Sequence, residues 1–495
     1  AASVHVHDKV QGLLGLNAFH FGQRVDHNED LFTDMPLQDR VSLFNTWRVD
    51  REIDRIMTVG GRYIYEDRFG GDVNWVEADH RGSSERYGES IYTHRWEAFG
   101  TYQLPAAERL MLQFSANGHH QNSVYGDVSY IAAQHISFGQ LTWDKSLGQG
   151  HDVLAGAALR HTLYEDNTPA TADGPSEVWL PGLFVQDQMA LNAQNTLLLG
   201  LRYDRNSVHG NIFTPRLNYK WNAADQWTVV RVSVGSGYRV ANIFTEDHAA
   251  LTGARDVMVV SNLNPERSNN VNVNVVQKWV GRRNDMVTLD GSAFYTYFSN
   301  KILPDYTTDP SQIIYDNLDG FAVSRGVSMN LDVTHEDLTL RMGVTGMEVF
   351  TEDKGVRKRQ ELTERFSSTW SLGYHLHRWN LTLDYTGSVY SPMDLPTQTT
   401  GEFLDPRPAQ SPWFSIQNLQ FTRAHGQKVE WYGGVKNLLN WTPWQHMPEG
   451  VRLLGNTTDP FEMNTPEGEL VFDPSYVYGP NQGVRGFLGL RVLLN

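Results

Sequence analysis

One stretch, Asn195–Trp279, constrains this chain more than any other. It opens with TLLLGLRYD (Thr196–Asp204) and continues with TPRLNYKW (Thr214–Trp221) and VRVSVGSGYR (Val230–Arg239). It closes with NLNPERSNNVNVNVVQKW (Asn262–Trp279). Every piece alternates. Leu197, Leu199, Leu201 and Tyr203 fall on one side of an extended chain; Thr196, Gly200, Arg202 and Asp204 fall on the other. Val271, Val273 and Val275 alternate with Asn270, Asn272 and Asn274. A period of two is the mark of a strand with one apolar and one polar face. In a soluble sandwich the apolar face turns inward. In an outer-membrane barrel it turns toward lipid and the polar face lines a lumen. Alternation alone does not separate the two.

The connections do. Apolar or alternating segments centre near residues 9–25, 37–50, 55–68, 88–104, 108–124, 133–147, 151–166, 176–191, 195–209, 211–223, 226–243, 265–281, 285–302, 321–335, 337–351, 364–378, 379–391, 411–424, 428–440 and 483–494. That predicts about 20 strands, each long enough for the roughly 9–11 residues a tilted spanning strand needs. The links alternate between short, such as Ala223–Gln226, Gly281–Asp285, His335–Asp337 and Ala424–Gln427, and long, such as Phe244–Asn264, Leu303–Gly320, Asp394–Ser411 and Gln445–Asn481. Short periplasmic turns and long extracellular loops are the pattern of a bacterial barrel. In Val287–Phe298, Tyr295 and Tyr297 share a side with Val287, Leu289 and Ala293, where an interfacial aromatic girdle would end.

Composition narrows the classes. A net charge of -16 over 495 residues argues against a nucleic-acid binder. With no cysteine there is neither disulfide nor thiol chemistry. No run of about 18 apolar residues writes a transmembrane helix. The 14 Trp and 21 Tyr suit aromatic girdles, and they also suit a carbohydrate-binding protein. The opening AASVHVHDKV is not a secretory signal. The fold expected is all-β, a transmembrane antiparallel barrel spanning residues 1–495 as a single domain.

At this level of detail the residues resemble a known family, the TonB-dependent outer-membrane receptors, most of all those of the Bacteroidetes. FVQDQ (Phe184–Gln188), LGLRYD (Leu199–Asp204) and TPRLNYKW are similar to successive strands of that family. GYRVAN (Gly237–Asn242) followed by LNPERS (Leu263–Ser268) resembles its glycine-aromatic-arginine and leucine-x-proline-glutamate pair. VKNLLN (Val435–Asn440) and GFLGLRVLL (Gly486–Leu494) resemble its last two strands. Three features depart from the pattern. Ala241 stands where proline is usual, Leu494 and Asn495 stand where a terminal aromatic is usual, and no plug domain with a TonB-engaging box precedes the barrel. The resemblance implies a barrel of about 22 strands. On that reading the plug and the first hairpin are absent.

No catalytic constellation stands out: there is no GxSxG, HExxH, CxxC or Walker loop. The expectation is binding and transport without bond-making. In DHNEDLFTD (Asp26–Asp34), oxygen side chains recur at Asp26, Asn28, Asp30 and Asp34, as a loop holding Ca2+ would have them. Leu31 sits where such a loop wants glycine and no glutamate closes the site, so a plain acidic surface loop is the competing reading. Among the 18 histidines, His119 and His120 lie at the outer end of a predicted strand. They and His248 have the chemistry to ligate haem iron, copper or zinc, though scattered histidines on a polar surface need no ligand. Under the resemblance, GYRVANIFTEDHAALTGARD faces the vestibule. Tyr238, Arg239, Glu246, Asp247, His248 and Arg255 are the expected ligand contacts, with arginine suited to carboxylate or phosphate.

The function expected is TonB-driven, high-affinity uptake of a scarce bulky nutrient across the outer membrane of a Gram-negative bacterium. The default cargo is a ferric siderophore, with haem, copper or another metal, and cobalamin as competitors. The partners expected are TonB acting through the plug, outer-membrane lipid and a surface lipoprotein. No cofactor is required. A passive porin and a soluble all-β carbohydrate-binding protein are the alternatives.

Overall fold

A computed structural model describes residues 2–240, 256–281, 285–305, 308–309, 312–397, 399–400, 403–426, 428–455 and 473–492. Nearly all of the regular structure is strand. One antiparallel sheet of 22 strands runs as a meander in which sequence neighbours pair. The short strand Val356–Arg359 and the strand Phe366–Leu376 pair with successive parts of Leu338–Asp353, so the two share one place in the wall.

The sheet wraps around on itself. The last strand, Arg485–Val492, pairs only with Val429–Lys436 among the described residues. Even so, the Arg485 guanidinium lies 3.3 Å from the Met35 sulfur, just before the third strand, Leu37–Val49. Ile302, Ile313 and Tyr315 follow Met286–Asn300 in the chain, yet they pack against Tyr125, Tyr130 and Tyr164. Five strands of the sheet separate Met286–Asn300 from His151–Asp166, the strand that carries Tyr164.

The two faces of the wall follow from register. Leu199 pairs with Leu217, Leu217 with Val234, Val234 with Val271 and Val271 with Tyr295, an apolar row that crosses five strands. One residue along, Gly200, Arg216, Gly235, Asn270 and Thr296 make a polar row. The apolar row is exposed: Val271, Val273 and Val275 are 43, 39 and 42% accessible. Burial against a second sheet would have closed them. Tyr130 and Tyr164, on which Ile302, Ile313 and Tyr315 rest, have the parity of Phe138 and Arg160 across their shared register, so the polar face is the enclosed one. Hydrocarbon offers backbone groups no hydrogen bonds, and pairing between neighbouring strands supplies them from within the wall.

The connections sort by rim. On one rim the turns run from residues 8–9 to residues 50–56, the shortest and longest of the set. On the other lie the described parts of the links that follow Phe21, Gly71, Arg239, Asn300, Tyr390 and Lys436. Two links on the long-loop rim break the predicted alternation. Residues 126–127 and 207–209 are tight turns, and glycine at positive φ opens Gly126 and closes at Gly210. A further strand, Ala2–His7, hairpins with Val10–Phe21, and periodicity had not revealed it. The strand expected from residue 133 begins at Val128.

Candidate functional site

Strands Val128–Leu147, His151–Asp166, Ser176–Ala190 and Asn195–Asn206 place one set of side chains on the lumenal face. Phe138 pairs with Arg160, Arg160 with Leu180, and Phe184 with Arg202. Phe138, Arg160, Leu180 and Arg202, with Asn117, Ile136 and Ala158, line a cavity of about 410 Å³. Arg202 grips Asp204 with two hydrogen bonds of 2.7 Å and lies 5.6 Å from the centre of the Phe184 ring. Asp204 is 1% exposed. A Cβ at residue 182 would come within 2.1 Å of its Oδ1, so glycine there is what lets the carboxylate lie against the wall. Arg160 has no carboxylate partner among the described residues. A planar cation beside aromatic faces is built to receive an anion with extended π surface.

Two loop assemblies frame the mouth. Residues Ile302–Asp305 and Gln312–Asn317 form a hairpin-like pair, with Asp256–Val259 added in parallel. Ile302, Ile313 and Tyr315 are buried against Tyr125, Tyr130 and Tyr164. The foot of this strap is Glu266, which accepts the Ile302 N–H at 3.2 Å and both Arg239 Nε at 2.8 Å and Nη2 at 2.7 Å. Burial pushes the nearby Lys301 ammonium down, and Glu266 opposes that shift. On the other side, Met393, Leu395, Trp441, Leu453 and Tyr476 pack with the lumenal Tyr390, Phe414 and Ile416. Their centre is Arg407. It donates to Asp405 at 2.8 Å, to Asp473 at 2.9 Å and to the Leu453 carbonyl at 3.2 Å, and it stacks 4.1 Å from the Tyr476 ring. Burial alone would lower the Arg407 pKa, but its two carboxylates outweigh burial and raise it. Burial likewise pushes Tyr478 up to about 12.

The expected site residues divide. Arg239 is held at the strap's foot by Glu266. Tyr238 is half-buried, with its hydroxyl within the fields of Asp204, Arg202 and Arg160. Glu246, Asp247, His248 and Arg255 lie outside the described residues. His119 and His120 are adjacent on one strand and therefore face opposite sides of the wall. His120 pairs with His94 on the outer side, its ring 5.1 Å from that of His135, while His119 faces the lumen. In the 22–36 loop, Asp26 accepts the Asp30 and Leu31 amides at 3.2 and 3.1 Å. Asp30 accepts the Phe32 amide at 2.9 Å, and Asp34 accepts the His27 amide at 3.0 Å. Asn28 donates to Asp30 at 2.8 Å. These oxygens are turned to the loop's own backbone. Among the described residues no three His, Asp or Glu side chains converge as metal ligands. Sequence reasoning did not single out Arg160, Phe138 and Phe184. Their signal was parity, since they fall on the polar side of their strands.

A wall with its grease outside, a polar lumen and a loop-framed mouth define an outer-membrane barrel with a ligand-receiving vestibule. Residues 7–438 match the family model described as "TonB dependent receptor-like, beta-barrel", and the chain belongs to that family. It is 26% identical over 158 residues to the iron-regulated outer membrane virulence protein of Vibrio cholerae, a match covering 31% of this chain and 23% of that protein. The match thus spans under a quarter of the curated relative's length. Among solved structures, a variant of the ferric enterobactin receptor of Pseudomonas aeruginosa is similar at a TM-score of 0.70 and 13% identity, over 99% of this chain and 76% of that one. The siderophore receptor PirA of the same organism gives 0.62 and 14%, over 89% and 72%. The FrpB iron transporter of Neisseria meningitidis gives 0.68 and 12%, over 98% and 77%. At such identities the likeness speaks for the fold. The chain is an outer-membrane β-barrel, and its long-loop rim faces the cell exterior.

Proposed function

We propose that this barrel takes up an anionic, aromatic iron chelate of the ferric siderophore class, driven through TonB and a plug in the lumen. The observation that carries the reading is the lumenal cavity with Arg160 and Arg202 beside Phe138 and Phe184. In a chain of net charge -16, a cation with no carboxylate partner among the described residues marks where negative ligand charge is met. The names of the similar iron-regulated and siderophore proteins support the same cargo class. Charge-assisted hydrogen bonds and stacking suffice for capture, and no bond is made or broken. Free copper carries no anionic oxygen and cobalamin a single phosphodiester, while haem confines its anionic oxygens to two propionates at one edge; a ferric tris-catecholate surrounds its metal with six.

The test is tryptophan-fluorescence titration of the purified barrel with a ferric tris-catecholate. Saturable quenching that Arg160→Ala weakens and that haem and cobalamin do not reproduce supports the proposal. Equal binding of neutral and anionic chelates overturns it.

A further inference from the structure

The ladder of the wall is interrupted between two neighbouring strands. Strands Gly210–Asn222 and Thr228–Arg239 pair from Asn222 with Val229 only as far as Arg216 with Gly235. Beyond that point each continues to pair with its other neighbour, up to Gly210 with Asn206 and up to Arg239 with Glu266. The sheet is therefore open between residues 210–215 and 236–239.

Pro215 accounts for the opening. Its carbonyl lies 3.5 Å from where a Cβ on Gly235 would sit, so that edge of residue 215 faces Thr228–Arg239. In an antiparallel pair a residue's N–H and C=O point to the same neighbour. Proline has no N–H to give, and within sheets it belongs at edges or irregularities. Beside it, the Ser236 hydroxyl is shielded from solvent and has no hydrogen-bond partner among the described residues.

Two cavities meet at this seam. One, of about 730 Å³, lies on the lipid side and is lined by Leu199, Leu201, Leu217, Val234 and Val271. Its size falls in the roughly 300–1,000 Å³ range of small-molecule sites. The other, of about 350 Å³, lies on the lumenal side with Gln140, Phe184 and Arg202. Pro215, Arg216 and Ser236 line both. Arg216 donates to the Gln186 side chain and meets no carboxylate among the described residues. A guanidinium beside hydrocarbon is costly unless an anion accompanies it. Tyr203 and Phe213, with tilted rings whose centres are 4.9 Å apart, lie at the end of the seam toward the exterior rim and place it on the outer-leaflet side of the wall.

We propose that the seam is a lateral binding site for a membrane fatty acid. The acyl chain lies in the lipid-facing groove, and the carboxylate passes between the strands to Arg216. The groove opens to the bilayer, which is where a free fatty acid resides, and the single cation at its inner end matches a single carboxylate. This reading does not depend on the iron cargo.

The test is photo-crosslinking of the folded barrel in phosphatidylcholine vesicles with a diazirine-labelled palmitate, mapped by mass spectrometry. Label concentrated on Leu217, Val234 and their neighbours is expected. Val234→Trp, which fills the groove, should lower it at least about tenfold. Arg216→Gln should lower labelling by palmitate and leave that by the matching palmityl alcohol unchanged. Pro215→Ala restores an N–H toward the next strand and should reduce labelling by both probes. Strand content measured by circular dichroism checks that each variant folds. Label spread evenly around the apolar belt overturns the proposal. So does an equal effect of Arg216→Gln on both probes, or displacement of the probe by lysophospholipid more readily than by palmitate.

Discussion

Two arginine clusters use the same chemistry to opposite ends. Arg407, among the exterior loops, is 1% exposed in its side chain and is enclosed by Asp405, Asp473 and the Tyr476 ring. Arg202, on the lumenal wall, has the same bidentate grip on an aspartate but stays 35% exposed, with Arg160, which meets no carboxylate among the described residues, across the same cavity. An arginine whose donors are all taken by its own chain can only hold that chain together. One that keeps an open side can still recognise something else. In this molecule burial separates scaffold from site, and charge does not.

The sharpest way to break that comparison is Arg407→Ala. It strands two buried carboxylates, and losing one partner of a buried ion pair costs about 3–5 kcal/mol. The loss should be local. Limited proteolysis should cut within residues 391–413 and 437–484, while circular dichroism of the strands stays as in the parent. If the loops keep their resistance, the Arg407 cluster is not the latch described. Next in size, Arg160→Ala should weaken ferric tris-catecholate binding by about 1.5–3 kcal/mol, the worth of a hydrogen bond to a charged group. The unfolding midpoint should not move. A matching loss of stability would make Arg160 scaffold as well.

Gly182→Ala joins the two regimes on the wall itself. Its Cβ would displace the Asp204 carboxylate and, through it, Arg202. Overpacking of this kind costs about 1–3 kcal/mol, to be read as a lower urea midpoint in vesicles. Unchanged stability together with unchanged chelate affinity would show that the Arg202–Asp204 grip is slack.

The smallest effect concerns a loop with no arginine at its centre. Burial raises the Asp30 pKa above the ordinary aspartate value, and backbone and Asn28 hydrogen bonds oppose that shift. A raised folded pKa means that ionisation works against the folded loop. Its stability is greatest below the unfolded pKa and declines as pH rises through the folded one. Asp30→Asn removes the charge and offers an N–H to the Asn28 Oδ1, which is buried without a partner. Amide exchange of residues 26–34, corrected for intrinsic rates, should slow at neutral pH in this variant and lose its dependence on acidic pH. Faster exchange would show that the Asp30 anion holds the turn.

Much of the wall was readable in advance because a strand's period is local. Leu199, Leu201, Val271, Val273 and Val275 declare their face from spacing alone, and the short links at 223–226 and 281–285 declare the rim. The tight turn at 126–127 was not foreseen, because a strand running on to Tyr125 and restarting at Val128 reads as a single broken segment. The candidate site was legible only in part. Arg202 was visible on the polar side of its strand, but its neighbours Phe138 and Arg160 come from strands distant in sequence. The adjacent His119 and His120 invited pairing, which the pleat forbids.

The sequence by itself determined that this chain is a barrel wall, with lipid outside and water within, because two-residue periodicity and loop lengths are properties of neighbouring residues. Only the tertiary structure decided which polar side chains share a cavity, which arginine is enclosed and where Pro215 parts the sheet. Those outcomes depend on register between strands and on loops crossing the mouth, and such long-range contacts are not encoded in any single segment.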